Sequence, residues 1–188
     1  MMELEQCPKI SLSNVLLEYN EKTTVNNEYP ILSSTMNGIF IQSEYFNKQA
    51  ASEETIGYKI IPYGYCTYRS MSDTGEFRFN IQKEVEIGIV SPAYPVFTSN
   101  EYDIDFISFY LNNSNCFKKQ IIEAKEGGTR FALSYSKLIK LFIPDISRTQ
   151  QVRAVRIYRS FQRKMNIELQ YFEKLKEQKN YLLSKMFI

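Results

Sequence analysis

The chain has 188 residues, 44% hydrophobic and 23% charged, with a formal net charge of +2. That allows one globular domain with a core, plus an appendage, and no apolar run approaches the ~18 residues that span a bilayer. Histidine is absent and the three cysteines, Cys7, Cys66 and Cys116, are odd in number and far apart, which excludes Ser-His and Cys-His nucleophiles, histidine-ligated metals, a disulfide framework and a zinc site. No Walker loop or GxGxxG motif occurs. The missing catalytic equipment points to binding or assembly, with no metal and no cofactor held by the chain. The start MMELEQCPKIS is acidic and has no apolar centre, unlike a signal peptide. A cytoplasmic protein with reduced thiols is expected.

In chain order, Ile10, Leu12, Val15, Leu16 and Leu17 suggest a short buried element, followed by a polar loop over 20–28. Residues 30–42 read as a hairpin turning at Asn37-Gly38, a pair that tolerates positive φ. Residues 43–52 are polar and aromatic and suggest one helical turn. Strands are expected over 58–61 and 65–69, around Pro62-Tyr63-Gly64. The run 70–76 (SMSDTGE) is a loop of small polar residues flanked by Arg69 and Arg78. Strands at 77–81, 85–90 and 94–98 follow. A short helix is expected over 105–111, and a second over 117–125, capped by Ser114 or Asn115 and stopped by Gly127-Gly128. A helical turn at 134–139, a strand at 141–143 and a link at 144–147 complete the first part. Strands in the middle and helices late make the fold class α+β.

The stretch 148–188 contains no proline or glycine, so nothing in it breaks a helix. Tyr158, Met165, Phe172, Lys179 and Met186 recur every seven residues, with Phe161, Glu168, Leu175 and Leu182 three residues behind. That is an a/d coiled-coil seam of about four heptads, on a rod roughly 55 Å long. Such a rod needs another helix, and the chain before it has none of that length. The alternative is an amphipathic helix folded back on its own domain. Charge divides at the same place. Residues 1–147 carry 13 basic and 18 acidic side chains, a balance of −5, and residues 148–188 carry 10 and 3, a balance of +7. Arg153, Arg156, Arg159, Arg163 and Lys164 crowd the first turns. Such a face suits nucleic acid or an acidic partner, or is simply solvated.

Several segments, in order and over nearly the whole chain, resemble half of a specificity (S) subunit of a type I restriction-modification system. They are Tyr29-Pro30-Ile31-Leu32-Ser33-Ser34-Thr35 with Gly38, Gln42 and Tyr45-Phe46. Next come Tyr58-Lys59-Ile60-Ile61, Gly128-Thr129-Arg130, Leu133-Ser134 and Leu141-Phe142-Ile143-Pro144. Gln150 follows, then a tail from Leu175-Lys176-Glu177-Gln178-Lys179 to Leu182-Leu183-Ser184-Lys185-Met186-Phe187. The sequence departs from the pattern at Thr149, where the family usually has Glu, and at Asp145-Ile146, where the second linker proline is missing. It also carries one recognition domain and one helix rather than two of each. It is either a natural half-subunit or a truncated or recombining cassette.

The resemblance implies a non-catalytic subunit. It has a target recognition domain over 1–147 and a helix over 148–188 for dimerisation and assembly. Its partners would be double-stranded DNA and the methylation and restriction subunits. S-adenosylmethionine would be bound by the methylation subunit, and the target adenine flipped for modification. The alternative is an assembly or decoy module that docks partners without specific reading. Candidate DNA contacts are Arg69, Ser70, Ser72, Thr74 and Arg78 in the 69–78 loop, Lys118 and Lys119 on a helix, and Arg130 after the two glycines. For each, a solvated surface or a structural ion pair is the competing explanation. Tyr63, Tyr65 and Tyr68 lie beside the loop. The seam residues Tyr158, Phe161, Met165, Glu168, Phe172, Leu175, Lys179, Leu182 and Met186 are the expected interface of an antiparallel homodimer.

Overall fold

In the computed structural model the described residues are 6–45, 54–124 and 130–186. They form an α+β fold in two units, Met1–Gln151 and Val152–Ile188. Strand β1 (Lys9–Ser11) pairs antiparallel with β12 (Phe142–Pro144), placing Ile10 opposite Ile143. A 3-10 turn, Leu12–Asn14, follows, capped by the Ser11 hydroxyl. Leu12, Val15 and Leu16 are buried, but Leu17 is exposed, because it stands on the short edge strand β2 (Leu17–Glu18).

The hairpin forms as β3 (Leu32–Thr35) and β4 (Gly38–Ile41), with Leu32 opposite Ile41 and Thr35 opposite Gly38. Its turn is therefore Met36-Asn37, one residue earlier than the sequence suggested. Gly38 opens the return strand at φ +131°, a conformation closed to other residues. The Thr35 hydroxyl accepts from Asn37 N–H and donates to the Gly38 carbonyl. Helix α1 (Gln42–Tyr45) is the expected helical turn, whose remainder lies outside the described residues.

Strands β5 (Lys59–Pro62) and β9 (Ile87–Val90) make a second antiparallel pair. A four-stranded sheet runs β2, β10 (Val96–Thr98), β6 (Cys66–Thr67), β8 (Asn80–Ile81). The strand expected over 77–81 is only its last two residues. The loop expected over 70–76 contains β7 (Met71–Ser72), which pairs with β11 (Phe131–Ala132), a strand too short for alternation to reveal. One core cluster gathers Leu32, Ile39, Ile61, Val90 and Val96. Another is aromatic: Tyr68 packs on Phe79 at 4.7 Å between centroids, and Phe79 on Phe117 at 6.0 Å.

Helix α2 (Ile104–Asn113) is capped by Asp103 and buries Phe106, Ile107, Tyr110 and Leu111 along one face. Ser114 donates its N–H to the Tyr110 carbonyl and caps α3 (Asn115–Glu123) with its hydroxyl. That helix ends at Ala124, and the Gly127-Gly128 stop lies outside the described residues. Helix α4 (Tyr135–Leu138) is capped by Ser134.

Helix α5 (Arg148–Met186) runs unbroken for 39 residues, about 58 Å at the usual rise. Its start is fixed by a reciprocal cap: Ser147 N–H donates to Gln150 Oε1, and Gln150 N–H to Ser147 Oγ. Gln151, almost fully buried, accepts from Asp103 N–H at 2.8 Å and donates to the Ile146 carbonyl at 2.9 Å. The first turn is thereby locked into the first unit. No helix among the described residues is long and apolar enough to cross a membrane.

Candidate nucleic-acid interface

The hairpin tip and the 69–78 segment wall a cleft of about 560 Å3. Residues 33–36 supply one wall, and Arg69, Ser72, Thr74 and Arg78 the other, with Tyr94 beside them.

Both walls are pinned to the core. Phe79 is buried and its backbone is bracketed by α2. Its N–H donates to Asn112 Oδ1 at 2.9 Å, and its carbonyl accepts from Asn112 Nδ2 and Ser108 Oγ, each at 2.8 Å. The next residue, Asn80, donates from Nδ2 to Ser34 Oγ at 2.9 Å and to the Thr35 carbonyl at 2.8 Å. Arg78 thus sits on a rigid support facing the hairpin. Its Nε is buried and meets no hydrogen-bond acceptor among the described residues. Leaving such a donor unpaired costs about 1–3 kcal/mol. A ligand rich in acceptors would recover that cost.

The loop itself is held by its own hydroxyls. Ser72 Oγ accepts from Gly75 N–H at 3.0 Å, and Thr74 Oγ1 accepts from Glu76 N–H at 3.3 Å. Gly75 has φ +82°, and a β-carbon there would meet the Phe131 ring at 3.0 Å. The β7–β11 register puts Phe131 opposite Ser72, which carries Arg130 to Asp73, where Nε and Oδ1 are 2.9 Å apart.

The 69–78 candidates fall into different places. Arg69, exposed, and Arg78, half-buried, line the cleft with Ser72 and Thr74. Ser70 serves the backbone, its carbonyl accepting from Leu133 N–H. Arg130 joins the loop through Asp73. Lys118 and Lys119 are exposed on α3 and are not among the residues lining the cleft. Tyr68 is core: it is fully buried, its hydroxyl donates to the Leu133 carbonyl, and burial pushes its phenol well above its ordinary range. Tyr65 packs edge-on against Tyr19, and Tyr63 is exposed. Sequence reasoning missed the hairpin tip and Tyr94 as cleft walls, and missed that Asp73 and Glu76 bring negative charge to it. The only local signal for the tip was the two-residue turn.

On α5 the seam is bare. Phe161, Met165, Phe172, Leu175, Leu182 and Met186 are all exposed, up to 73% at Met186. Glu168 and Lys179 are exposed as well, and Tyr158 is half-buried. Phe187, in the resembling tail, lies outside the described residues, as do Phe46 and Gly128-Thr129. Among the described residues no cluster of histidine, cysteine, aspartate and glutamate is suited to a metal.

No family model and no curated protein matches this chain. Solved structures do. The HsdS subunit from Thermoanaerobacter tengcongensis superposes with TM-score 0.52 at 12% identity, covering 84% of this chain and 37% of that one. The fold is that of a type I S subunit. A chain from a structure of complex assembly and conformational transition in the type I R-M system agrees, with TM-score 0.56, 12% identity, and 84% of this chain on 38% of that one. The present chain therefore spans well under half the length of either solved chain it matches.

Proposed function

We propose that this chain is a DNA-reading half of a type I specificity subunit. Residues 1–147 read one half-site, and residues 148–188 dimerise and assemble with methylation and restriction subunits in the cytoplasm. The chain does no chemistry: the methylation subunit binds S-adenosylmethionine and modifies adenine, and the restriction subunit cuts. The observation that supports the reading is Arg78, mounted beside the pinned Phe79 backbone in a cleft, with a buried donor that meets no acceptor among the described residues, within an S-subunit fold.

The cleft's mixed character favours base edges over backbone. Arg69 and Arg78 offer the forked donors that suit guanine, Asp73 and Glu76 the acceptors that suit the cytosine amino group, and Ser33, Thr35 and Ser72 hydroxyls that serve either. Phosphate contacts call for donors alone, which Asp73 and Glu76 do not supply. Lys118, Lys119 and Arg130, at the surface outside the cleft, are assigned to phosphates.

The test is co-expression with a methylation subunit followed by mapping of methylated adenines. An interrupted palindrome is expected, because two identical domains related by a dyad read identical inverted half-sites. Stable assembly with no methylated motif would instead establish the assembly or decoy role. Two unrelated half-sites, with no second S protein present, would overturn the homodimer.

A further inference from the structure

The helix has a second functional face besides its seam. Arg156, Arg159 and Arg163 recur at i, i+3 and i+7, so they form one stripe, flanked by Arg153. All four are exposed on α5. In heptad register they occupy b, c and f positions, on the side of the helix away from Phe161, Met165 and Phe172. Pairing through the seam leaves the stripe in solvent.

Arg159 has a partner of its own, and the case rests on Arg153, Arg156 and Arg163. From Arg148 to Ile167 there is no aspartate or glutamate; the first acid is Glu168. Arg153, Arg156 and Arg163 have no carboxylate three or four residues away on either side. Their helical neighbours are instead one another: 153 with 156, 156 with 159, 159 with 163. Like charges at these spacings disfavour a helix. Elsewhere on the rod acids and bases are interspersed, and Lys176 lies 3.7 Å from Glu173. A solvated face of ordinary composition would carry such pairs here too.

We infer that this arginine stripe is a sequence-independent grip on the phosphate backbone of duplex DNA, separate from the base-reading cleft. The inference rests on the DNA-reading function proposed above. Two features select DNA over an acidic protein. The 1–147 part has a balance of −5, so the phosphate contacts of Lys118, Lys119 and Arg130 supply only a share of the counterion-release term that drives DNA affinity, and the helix, with a balance of +7, supplies the rest. The stripe with Arg153 and Lys164 also extends eleven residues, about 16 Å, which matches roughly five base pairs of evenly spaced phosphates.

The test uses the full chain with Arg153→Gln, Arg156→Gln and Arg163→Gln combined. Circular dichroism and sedimentation of the variant establish that helix and oligomeric state are retained. Binding to a duplex carrying the methylated motif and to a random duplex is measured from about 50 to 200 mM salt. Removing three phosphate-binding cations lowers the log–log salt slope by about 2.7, so over that range the wild type should lose roughly forty-fold more affinity than the variant. The fall should be equal on both duplexes, leaving the specificity ratio unchanged. An unchanged slope overturns the inference, as does loss of methylation-subunit assembly with DNA binding intact, which would assign the stripe to an acidic protein. A wild type that binds both duplexes equally, with a slope that falls in the variant, would sustain the grip and overturn the reading function. No binding to either duplex overturns both.

Discussion

Asn80 holds the two walls of the cleft together: its amide donates to Ser34 Oγ at 2.9 Å and to the Thr35 carbonyl at 2.8 Å. The side chain is buried. It makes the hairpin and the strand behind Arg78 a single support, and the width of the cleft depends on it. Replacing Asn80 with alanine strands a buried hydroxyl and a carbonyl, at a cost of about 1–3 kcal/mol. The denaturation midpoint should fall accordingly, and amide exchange around residues 33–36 should accelerate. A variant with unchanged stability and exchange would show that the hairpin is held by something else.

Arg78→Ala and Arg69→Ala separate base reading from backbone contact. If either arginine grips a base through both arms of its fork, its removal should cost about 1–3 kcal/mol of specific affinity and relax one position of the motif. An arginine that holds phosphate should instead, on removal, weaken all duplexes alike and flatten the salt dependence. Arg78 is expected to behave as the reader, because it is half-buried next to the pinned backbone of Phe79, whereas Arg69 is exposed. Full methylation by both variants with unaltered salt dependence would remove this cleft from the interface.

Arg130 distinguishes a structural pair from a ligand contact. It and Asp73 are both more than two-thirds exposed, so Arg130→Ala should cost less than about 1 kcal/mol of stability. DNA affinity should fall equally on every duplex. If stability drops and DNA binding does not, the pair only braces the loop.

Much of this architecture was legible in the sequence. The β3–β4 hairpin, the Ser114-capped helix and the proline-free rod each carry a strong local signal: a tight turn, a capping hydroxyl, a seven-residue period. The cleft was half legible. Arg69 and Arg78 were found as cations flanking a small polar loop, but the opposite wall was not, since Asn80's bonds to Ser34 and Thr35 span more than forty residues. Strands of two residues, such as Phe131–Ala132, have too few positions to show alternation. Their pairing is set by tertiary contacts such as the Gly75–Phe131 approach. Tyr68 was misjudged because a tyrosine beside a polar loop looks the same in sequence whether it faces solvent or core.

Stability should vary little between about pH 5 and pH 8, because the chain has no histidine to titrate there. Alkali is different. Burial raises the Cys66 thiol and the Tyr68 phenol, and burial with a hydrogen bond to Asp145 raises Tyr102. Groups raised in the folded state lend stability that is complete below their unfolded pKa values and is lost as pH climbs through the folded ones. The denaturation midpoint should therefore begin to fall near pH 9, where unfolded cysteine ionises, and fall faster above about 10, where unfolded tyrosine joins it. Tyr102→Phe should reduce the upper part of that decline. A midpoint level to about pH 11, beyond the ordinary range of both groups, would mean that they are not buried as described.

In the proposed homodimer, two polar residues in an otherwise apolar seam would decide how the rods pair. In an antiparallel coiled coil, a positions of one helix face d positions of the other. Glu168 is at d and Lys179 at a, and their numbers sum to 347. The same sum places Phe161 against Met186, Met165 against Leu182, and Phe172 against Leu175. Every layer except Tyr158 is then filled, and each charge meets its opposite across the dyad between Phe172 and Leu175. A parallel in-register dimer would stack Glu168 on Glu168 and Lys179 on Lys179. Helix α5 is continuous through all of these positions, and its apolar seam is exposed in the single chain, so an antiparallel homodimer is expected. Antiparallel rods would carry the two N-terminal domains, if they read DNA as proposed, to opposite ends, which suits half-sites separated by an uncontacted spacer. Once buried in that dimer, the pair would add little net stability, since desolvation opposes it, but it would penalise other registers. Glu168→Lys alone and Lys179→Glu alone should each weaken the dimer by placing like charges across the dyad. The double swap should largely restore it. Sedimentation equilibrium at matched concentrations measures all three, and a double swap no tighter than the single variants would rule this register out.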